Sequence, residues 1–287
     1  MIAREVKCQL IHSYKDKYPI KKMCQFFGVS RSAYYRHQSL AHRDRDEDLG
    51  RMIEEGYHCS GRTYGYRRIT IWIGRKYGIV VNPKRVLRVM RKLHISSVVR
   101  RKKKYPRIVQ MDMLRKYPNV LHQDFQSDRP NSKWVTDITH IHTKQGVLYL
   151  SAVKDLYDGF IVAHRLSSNP SSRLVVDTLK DALKKEMVTD GLILHSDQGQ
   201  QYSSHAYYVL TQGYGITQSM SRKGNCLDNA CIESFFGQLK EEAIRRTKLD
   251  TFEQAKLLVD SYIHFYNYER IQLKTKLTPY EKRCQLE

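Results

Sequence analysis

From Lys133 onward the chain runs through an order of elements that few architectures accommodate. Lys133 to Thr143 reads as a strand, Lys144-Gln145-Gly146 as its turn, and Val147 to Lys154 and Phe160 to Leu166 as two further strands joined around Asp158-Gly159. An amphipathic helix from Ser171 to Met187 then precedes a short apolar strand, Leu192 to Ser196. A helix near Ser204 to Gln212, a strand near Ile216 to Met220 and a helix around Glu233 complete the series. Three strands in succession predict a meander, and the alternation after them predicts an α/β domain.

Three acids fall at particular points of this series. Asp137 lies inside the first strand, Asp197 just past the fourth, and Glu233 in the last helix, with positions 198 to 232, 35 residues, between the last two. Two strand-borne aspartates and a helix-borne glutamate can converge on a pair of divalent cations. Hard cations such as Mg²⁺ take carboxylate oxygens, and a two-metal pair clamps the attacking and leaving oxygens of a phosphodiester displacement. At about 100° per residue, Cys231, Ile232, Phe235, Phe236 and Leu239 form one apolar stripe, and Glu233 falls about 60° beyond its edge. There a carboxylate can reach the end of a sheet without being buried unpaired. Most of the 29 acids are expected to be surface carboxylates. Asp155 and Asp158 read as turn residues, Asp228 as a helix cap, His140 and His195 as structural histidines, and Trp134 as a core anchor.

The charge points to a polyanion. Lys and Arg number 50 against 29 acids, a formal net charge of +21, far more than solubility requires. Between Gly61 and Tyr117 there are 18 Lys or Arg residues and one acid, Asp112. Within that stretch Asn82 and Pro83 suit an N-cap and a first helical position. The helix after them places Val86, Val89, Met90 and Leu93 on one side, with Lys84, Arg85, Arg88, Arg91 and Lys92 around the remainder. Such a helix is expected to pack on one face and meet DNA on the other, phosphates first. Arg67, Arg68 and the basic run Arg100, Arg101 and Lys102 are further candidate contacts. Upstream, a helix near 3 to 17, a second from Pro19 to Gly28 and a third after Ser30 form a helix-turn-helix-like pattern.

The hydrophobic fraction of 41% suffices for a core, and no apolar run reaches the ~18 residues of a membrane span. The start carries charges where a signal peptide needs an apolar stretch. Six cysteines form no Cys-x-x-Cys pair, so no structural zinc is expected, and reduced thiols fit the cytoplasm.

Taken together the motifs resemble the DDE transposases and retroviral-type integrases, and in detail the second-frame product of insertion sequences of the IS-three type. The resemblance covers nearly the whole chain. It rests on Gly61-Arg-Thr-Tyr-Gly-Tyr-Arg-Arg-Ile69, on Arg129-Pro-Asn-Ser-Lys-Trp-Val-Thr-Asp137, on the spacing from Asp197 to Glu233, and on Tyr266-Asn267-x-x-Arg270 with Thr278-Pro279. It implies a ribonuclease-H-like integrase catalytic core preceded by α-helical, helix-turn-helix-like DNA-binding units. The expected division is 1–40, 44–98, a basic linker 99–125, and a catalytic domain with a helical tail at 126–287. Asp137, Asp197 and Glu233 would be the catalytic ligands of two Mg²⁺ or Mn²⁺ ions, and Lys240 matches a basic residue that the family assigns to substrate DNA.

The implied activity is cleavage at the ends of an insertion sequence and transfer of the exposed 3′-hydroxyls, with no protein nucleophile. The implied partners are double-stranded DNA of the element ends and target, further copies in a synaptic complex, and a first-frame transposition protein. The family's active form is often a fusion with that protein, whose leucine zipper has no counterpart in this sequence. The expected setting is the bacterial cytoplasm, at the nucleoid. Two other readings are a DNA-binding regulator or inhibitor of transposition without activity of its own, and a nuclease without a joining step.

Overall fold

The computed structural model describes residues 4–41, 46–99, 116–186, 188, 191–222 and 225–286. Helices α1 (Arg4–Ser13), α2 (Ile20–Phe27) and α3 (Arg31–Ala41) pack around Cys8, Ile11, Met23, Cys24 and Tyr34. Gly28 ends α2 in the left-handed region at φ 64°, a conformation cheap only for glycine. The Ser30 hydroxyl accepts the Ala33 N–H at 3.2 Å and starts α3. Pro19, expected as the first helical residue, stands one place earlier as the N-cap, its ψ of 126° still extended.

A second helical unit comprises α4 (Glu47–Cys59), α5 (Tyr66–Tyr77) and α6 (Pro83–Lys92), around Leu49, Ile53, Ile69, Ile73, Val86, Val89 and Met90. Asn82 caps α6 through its side chain, accepting the Lys84 N–H at 2.8 Å, with Pro83 in the first turn as expected. This core is completed by Ile271, which is 178 positions beyond Leu93 and belongs to the tail of the chain. The second unit is therefore not closed within the expected span 44–98.

The catalytic unit is built on five strands: β1 (Lys133–Thr143), β2 (Gly146–Asp155), β3 (Ile161–Ser167), β4 (Ile193–Ser196) and β5 (Thr217–Met220), in the order β3-β2-β1-β4-β5. The meander β1–β3 is antiparallel, whereas β4 and β5 add in parallel beyond β1. Each parallel addition follows a helix, α7 (Ser172–Lys185) before β4 and α8 (His205–Gly213) before β5, as crossover connections require. Alternate residues of β1 feed two cores. Val135 and Ile141 join the helices α9 (Ala230–Glu242) and α10 (Phe252–Tyr268), while Trp134 joins the α7 and α8 side.

Residues 119–125, expected within a linker, belong to this unit. Leu121 is buried in the first core, and the Ser219 hydroxyl accepts the N–H groups of Val120 and Leu121. The basic run with Arg100, Arg101 and Lys102 lies outside the described residues. No described helix is long and apolar enough to cross a membrane.

The tail closes on the sheet through α11 (Pro279–Arg283). Arg283 donates to Asp155 at 2.7 Å, Asp158 at 2.7 Å and Glu186 at 2.5 Å. Asp155 and Asp158 are turn residues, as expected, accepting the N–H groups of Tyr157 at 2.9 Å and Phe160 at 2.7 Å, and they are buried anchors as well: Asp155 also accepts from the Asn131 N–H at 2.8 Å and Trp134 Nε1 at 3.3 Å. Burial, with the charge of Asp158, pushes the Asp155 carboxyl up to about 6. Arg283 is the cation that opposes this. Arg283→Ala is expected to cost about 3–5 kcal/mol in urea denaturation, because it leaves two buried carboxylates without their partner. A loss below about 1 kcal/mol would reduce Arg283 to an ordinary surface charge.

Candidate active site

The parallel register pairs Val135 with His195, and Asp137 and Asp197 each lie two residues further along. The two strands thus deliver the aspartates side by side. The Asp137 carboxylate accepts the Ile138 N–H at 2.7 Å, and Asp197 accepts the Gly199 N–H at 2.9 Å. Burial and then the charge of Asp197 push the Asp137 carboxyl well above the usual range. The Ile138 N–H opposes this, Glu233 adds to it, and Lys240 opposes it. Asp197 is raised as well, by burial. Gly199 is required here: a Cβ on it would stand 2.9 Å from Asp197 Oδ1 and 3.0 Å from Gln201 Oε1.

Glu233 comes from the first turn of α9, whose buried stripe is Ile232, Phe235, Phe236 and Leu239. Glu233 itself is exposed at the edge of that stripe. Among the described residues, no three His, Cys, Asp or Glu side chains close into a ready-made metal cluster. The sequence pattern led to the expectation of all three acids gathered on the cations; here the aspartates are adjacent and Glu233 turns towards solvent, acting on Asp137 through its charge. The donor set itself suits a hard divalent cation: carboxylate oxygens, with the Asp137 charge disfavoured by burial and by its acidic neighbours. Lys240, two turns beyond Glu233, is half-buried; burial pushes its amine down, Arg245 adds to this, and Asp137 opposes it.

The apolar stripe packs α9 on the sheet, and two residues that the sequence did not single out correctly fix where the helix begins. Asp228, expected as a helix cap, is a buried hub in the 3-10 turn Cys226–Asn229. It accepts from the Arg222 N–H and guanidinium, from Gln123 at 2.6 Å, from Asn119 at 3.0 Å and from Asn225 at 3.1 Å. The Arg222 guanidinium holds its carboxyl well below the usual range. The N-cap of α9 is Asn229, whose amide donates to the carbonyl of Thr136 at 3.3 Å, one residue before Asp137. His195 is structural, as expected. It bridges the hydroxyls of Ser219 at 2.8 Å and Ser221 at 3.0 Å, and burial lowers it to about 4.

The candidate DNA contacts divide. Lys84, Arg85, Arg88, Arg91 and Lys92 are exposed on α6. The face is not of one sign, however, because Asp46 pairs with Arg85 at 3.0 Å and Arg88 at 2.8 Å. Arg67 is exposed over the ring of Tyr66. Arg68 points inward, its Nε donating to the Ile271 carbonyl at 3.0 Å.

A meander extended by two parallel strands, with one carboxylate inside β1, one just past β4 and one in the first turn of α9, is the arrangement of an integrase-type polynucleotidyl transferase. Residues 127–226 match the integrase core domain family, residues 233–286 a second integrase core domain family, and residues 43–103 an HTH-like domain family. The chain is 39% identical over 279 residues to InsK of insertion sequence element IS150 from Escherichia coli (strain K12), covering 96% of this chain and 98% of that protein. It is 32% identical over 263 residues to transposase InsF for insertion sequence IS3A of the same organism, covering 90% and 91%. The HTLV-2 integrase catalytic core domain, solved in complex with magnesium, aligns at a TM-score of 0.45 and 15% identity over 54% of this chain and 98% of that one. The chain belongs to the insertion-sequence transposases of which these E. coli proteins are members. It is a DNA transposase of the DDE type.

The Asp228 hub yields a pH signature. Its folded pKa lies below the ordinary 3.8, so its charge stabilises the fold above that value and the contribution fades as pH falls through the folded pKa. Asp228→Asn is expected to lower urea stability by about 1–3 kcal/mol at neutral pH. The gap to wild type should close on strong acidification. A gap unchanged to the acid limit of folding would mean that shape, not charge, is what Asp228 contributes.

Proposed function

We propose that Asp137, Asp197 and Glu233 are the catalytic carboxylates of strand cleavage at the element's ends and of 3′-hydroxyl strand transfer. The observation that carries this is the pair of adjacent, half-buried aspartates that two neighbouring strands bring together, with Glu233 and Lys240 acting on the charge of Asp137. Two divalent cations, Mg²⁺ or Mn²⁺, would be held by these carboxylates and would supply Lewis-acid activation and charge stabilisation at the phosphodiester. The chain's own residues do the positioning. Gly199 leaves room for the Asp197 carboxylate, Asn229 fixes the start of α9 beside β1, and Lys240 offers its ammonium to a phosphate of the DNA end. Because the chemistry exchanges one phosphodiester oxygen for another, none of the 20 tyrosines need act as a nucleophile.

The recognition of the ends is assigned to the exposed cations of α6, with Arg67 and the run containing Arg100, Arg101 and Lys102. Joining two ends calls for two DNA-bound recognition surfaces, which supports self-association in a synaptic complex. A first-frame protein carrying a zipper would supply such pairing, and the nucleoid is where this charge would hold the protein.

Asp137→Asn, Asp197→Asn and Glu233→Gln are each expected to abolish joining of short element-end duplexes in Mg²⁺ or Mn²⁺ while retaining end binding. Asp137→Asn should in addition raise the melting temperature without added metal, because it removes a charge that burial and Asp197 disfavour, and it should lose the stabilisation that Mg²⁺ gives wild type. Measurable joining by Asp197→Asn would defeat the assignment. Replacing Lys84, Arg91 and Lys92 by Gln should flatten the slope of log K against log salt by about 0.9 for each phosphate that is no longer neutralised. An unchanged slope would turn this face of α6 away from DNA.

A further inference from the structure

Two segments carried the family resemblance without finding a place in the chemistry: Gly61 to Ile69, and Tyr266-Asn267 with Arg270. In the structure they meet. Tyr64 is 3% exposed, and its hydroxyl accepts the Ile271 N–H at 3.0 Å and donates to the Glu269 carbonyl at 3.3 Å. Arg68 completes the clasp, donating to the Ile271 carbonyl at 3.0 Å with its guanidinium 5.7 Å from the centre of the Tyr64 ring. The Ile271 side chain fills the core of α4–α6, and Phe265 of α10 packs against both that core and the core of the catalytic unit. Polar and apolar attachments together thus fix one short segment to the recognition unit.

The same segment is fixed on its other side to the helix of the active site. Arg270 is 2% exposed and forms a two-pronged pair with Glu242, Nε to Oε2 at 2.8 Å and Nη2 to Oε1 at 2.6 Å. The Tyr262 hydroxyl donates to the same carboxylate at 2.9 Å. Glu242 is the last residue of α9, the helix that begins next to Glu233 and carries Lys240. A buried, bidentate guanidinium–carboxylate pair is directional as well as strong, so it transmits position.

We infer that Tyr64 and Arg68 are positioning residues, clasping α4–α6 to the segment around Ile271, which Arg270 and Glu242 tie to α9. DNA held by α4–α6 is thereby presented in a fixed frame to Glu233 and Lys240. The inference rests on the reading of Asp137, Asp197 and Glu233 as the catalytic carboxylates. It removes Arg68 from the DNA-contact set, since its Nε is engaged by a backbone carbonyl on the inner side of α5.

The test uses the full chain, Tyr64→Phe, Arg68→Gln and Arg68→Lys, short element-end duplexes, and Mg²⁺ or Mn²⁺. Tyr64→Phe keeps the packed ring and deletes only the two hydrogen bonds of the hydroxyl. At a temperature well below melting and at saturating DNA, joining should fall about tenfold or more in Tyr64→Phe and Arg68→Gln, as misplacement of reacting groups predicts. Affinity for the end and its salt slope should not change, Arg68→Lys should recover part of the rate, and calorimetry should show the single melting transition of wild type split in two. A flatter salt slope in Arg68→Gln would overturn the inference by making Arg68 a phosphate ligand. Unchanged joining at saturation would overturn it too, leaving a contact that serves stability alone. A Glu233→Gln control separates the two readings. If that variant still joins ends, the catalytic assignment fails, while the clasp stands or falls on whether the melting transition splits.

Discussion

The parallel pairing of β4 against β1 is the constraint on which the rest of the catalytic unit depends. It places Asp137 and Asp197 at matched points of neighbouring strands, where burial and the charge of Asp197 both disfavour the Asp137 carboxylate. A fold that brings two acids together in this way carries an internal repulsion, and it holds only because the surrounding packing over-determines the strands. Trp134, Val135, Leu194 and His195 are all essentially buried around the crossing. The hydroxyls of Ser219 and Ser221 then hold both ring nitrogens of His195, which burial keeps neutral, and so tie the strand before Asp197 to the end of β5. Strain of this kind, concentrated at one point and opposed by a well-packed frame, is what a site for divalent cations requires.

Three ionic clusters, each centred on buried carboxylate, distribute the stiffness of that frame. Asp228 with Arg222 secures the entry to α9, Glu242 with Arg270 its exit, and Asp155 and Asp158 with Arg283 the far end of the meander. Each consists of a fully or nearly buried carboxylate with further hydrogen bonds to neutral groups. Such pairs contribute little net stability compared with apolar packing, but removing one partner is costly, so they discriminate sharply against misplaced segments. Each includes a connection between residues far apart in the chain, as in Gln123 to Asp228, Arg270 to Glu242 or Arg283 to Asp155. Helices held at both ends cannot rotate, and α9 is held at both ends.

Much of this was legible in the sequence, for physical reasons. Strand and helix positions from Lys133 to Glu242 follow from periodicity and fall within one or two residues of expectation, and the stripe that leaves Glu233 at its edge is read directly from helical geometry. What could not be read was long-range pairing. Little local distinguishes Asp228 from a capping aspartate, because its partners Asn119 and Gln123 come from a segment more than 100 positions away. Asp155 and Asp158 are legible as turn residues, but not as the buried partners of Arg283, which is brought against them from more than 120 positions away. Asp46 had no sequence signal as the partner of Arg85 and Arg88, and a face read as uniformly cationic was therefore partly neutralised. The inward turn of Arg68 is the same lesson in a basic residue: its charge is plain from its type, and only the fold gives its direction.

The insertion of Ile271 into the core of α4–α6 has a consequence for how the molecule comes into being. A chain leaves the ribosome from its amino terminus, and a unit that needs a residue 178 positions beyond Leu93 cannot reach its final packing when its own helices emerge. Its apolar core stays open to solvent until the sheet has formed and α10 has been made. Completion therefore does not follow the order of synthesis. The helices α4–α6, made early, wait for the segment after α10, and the sheet in turn waits for Arg283 of α11, so the two units settle together rather than one after the other.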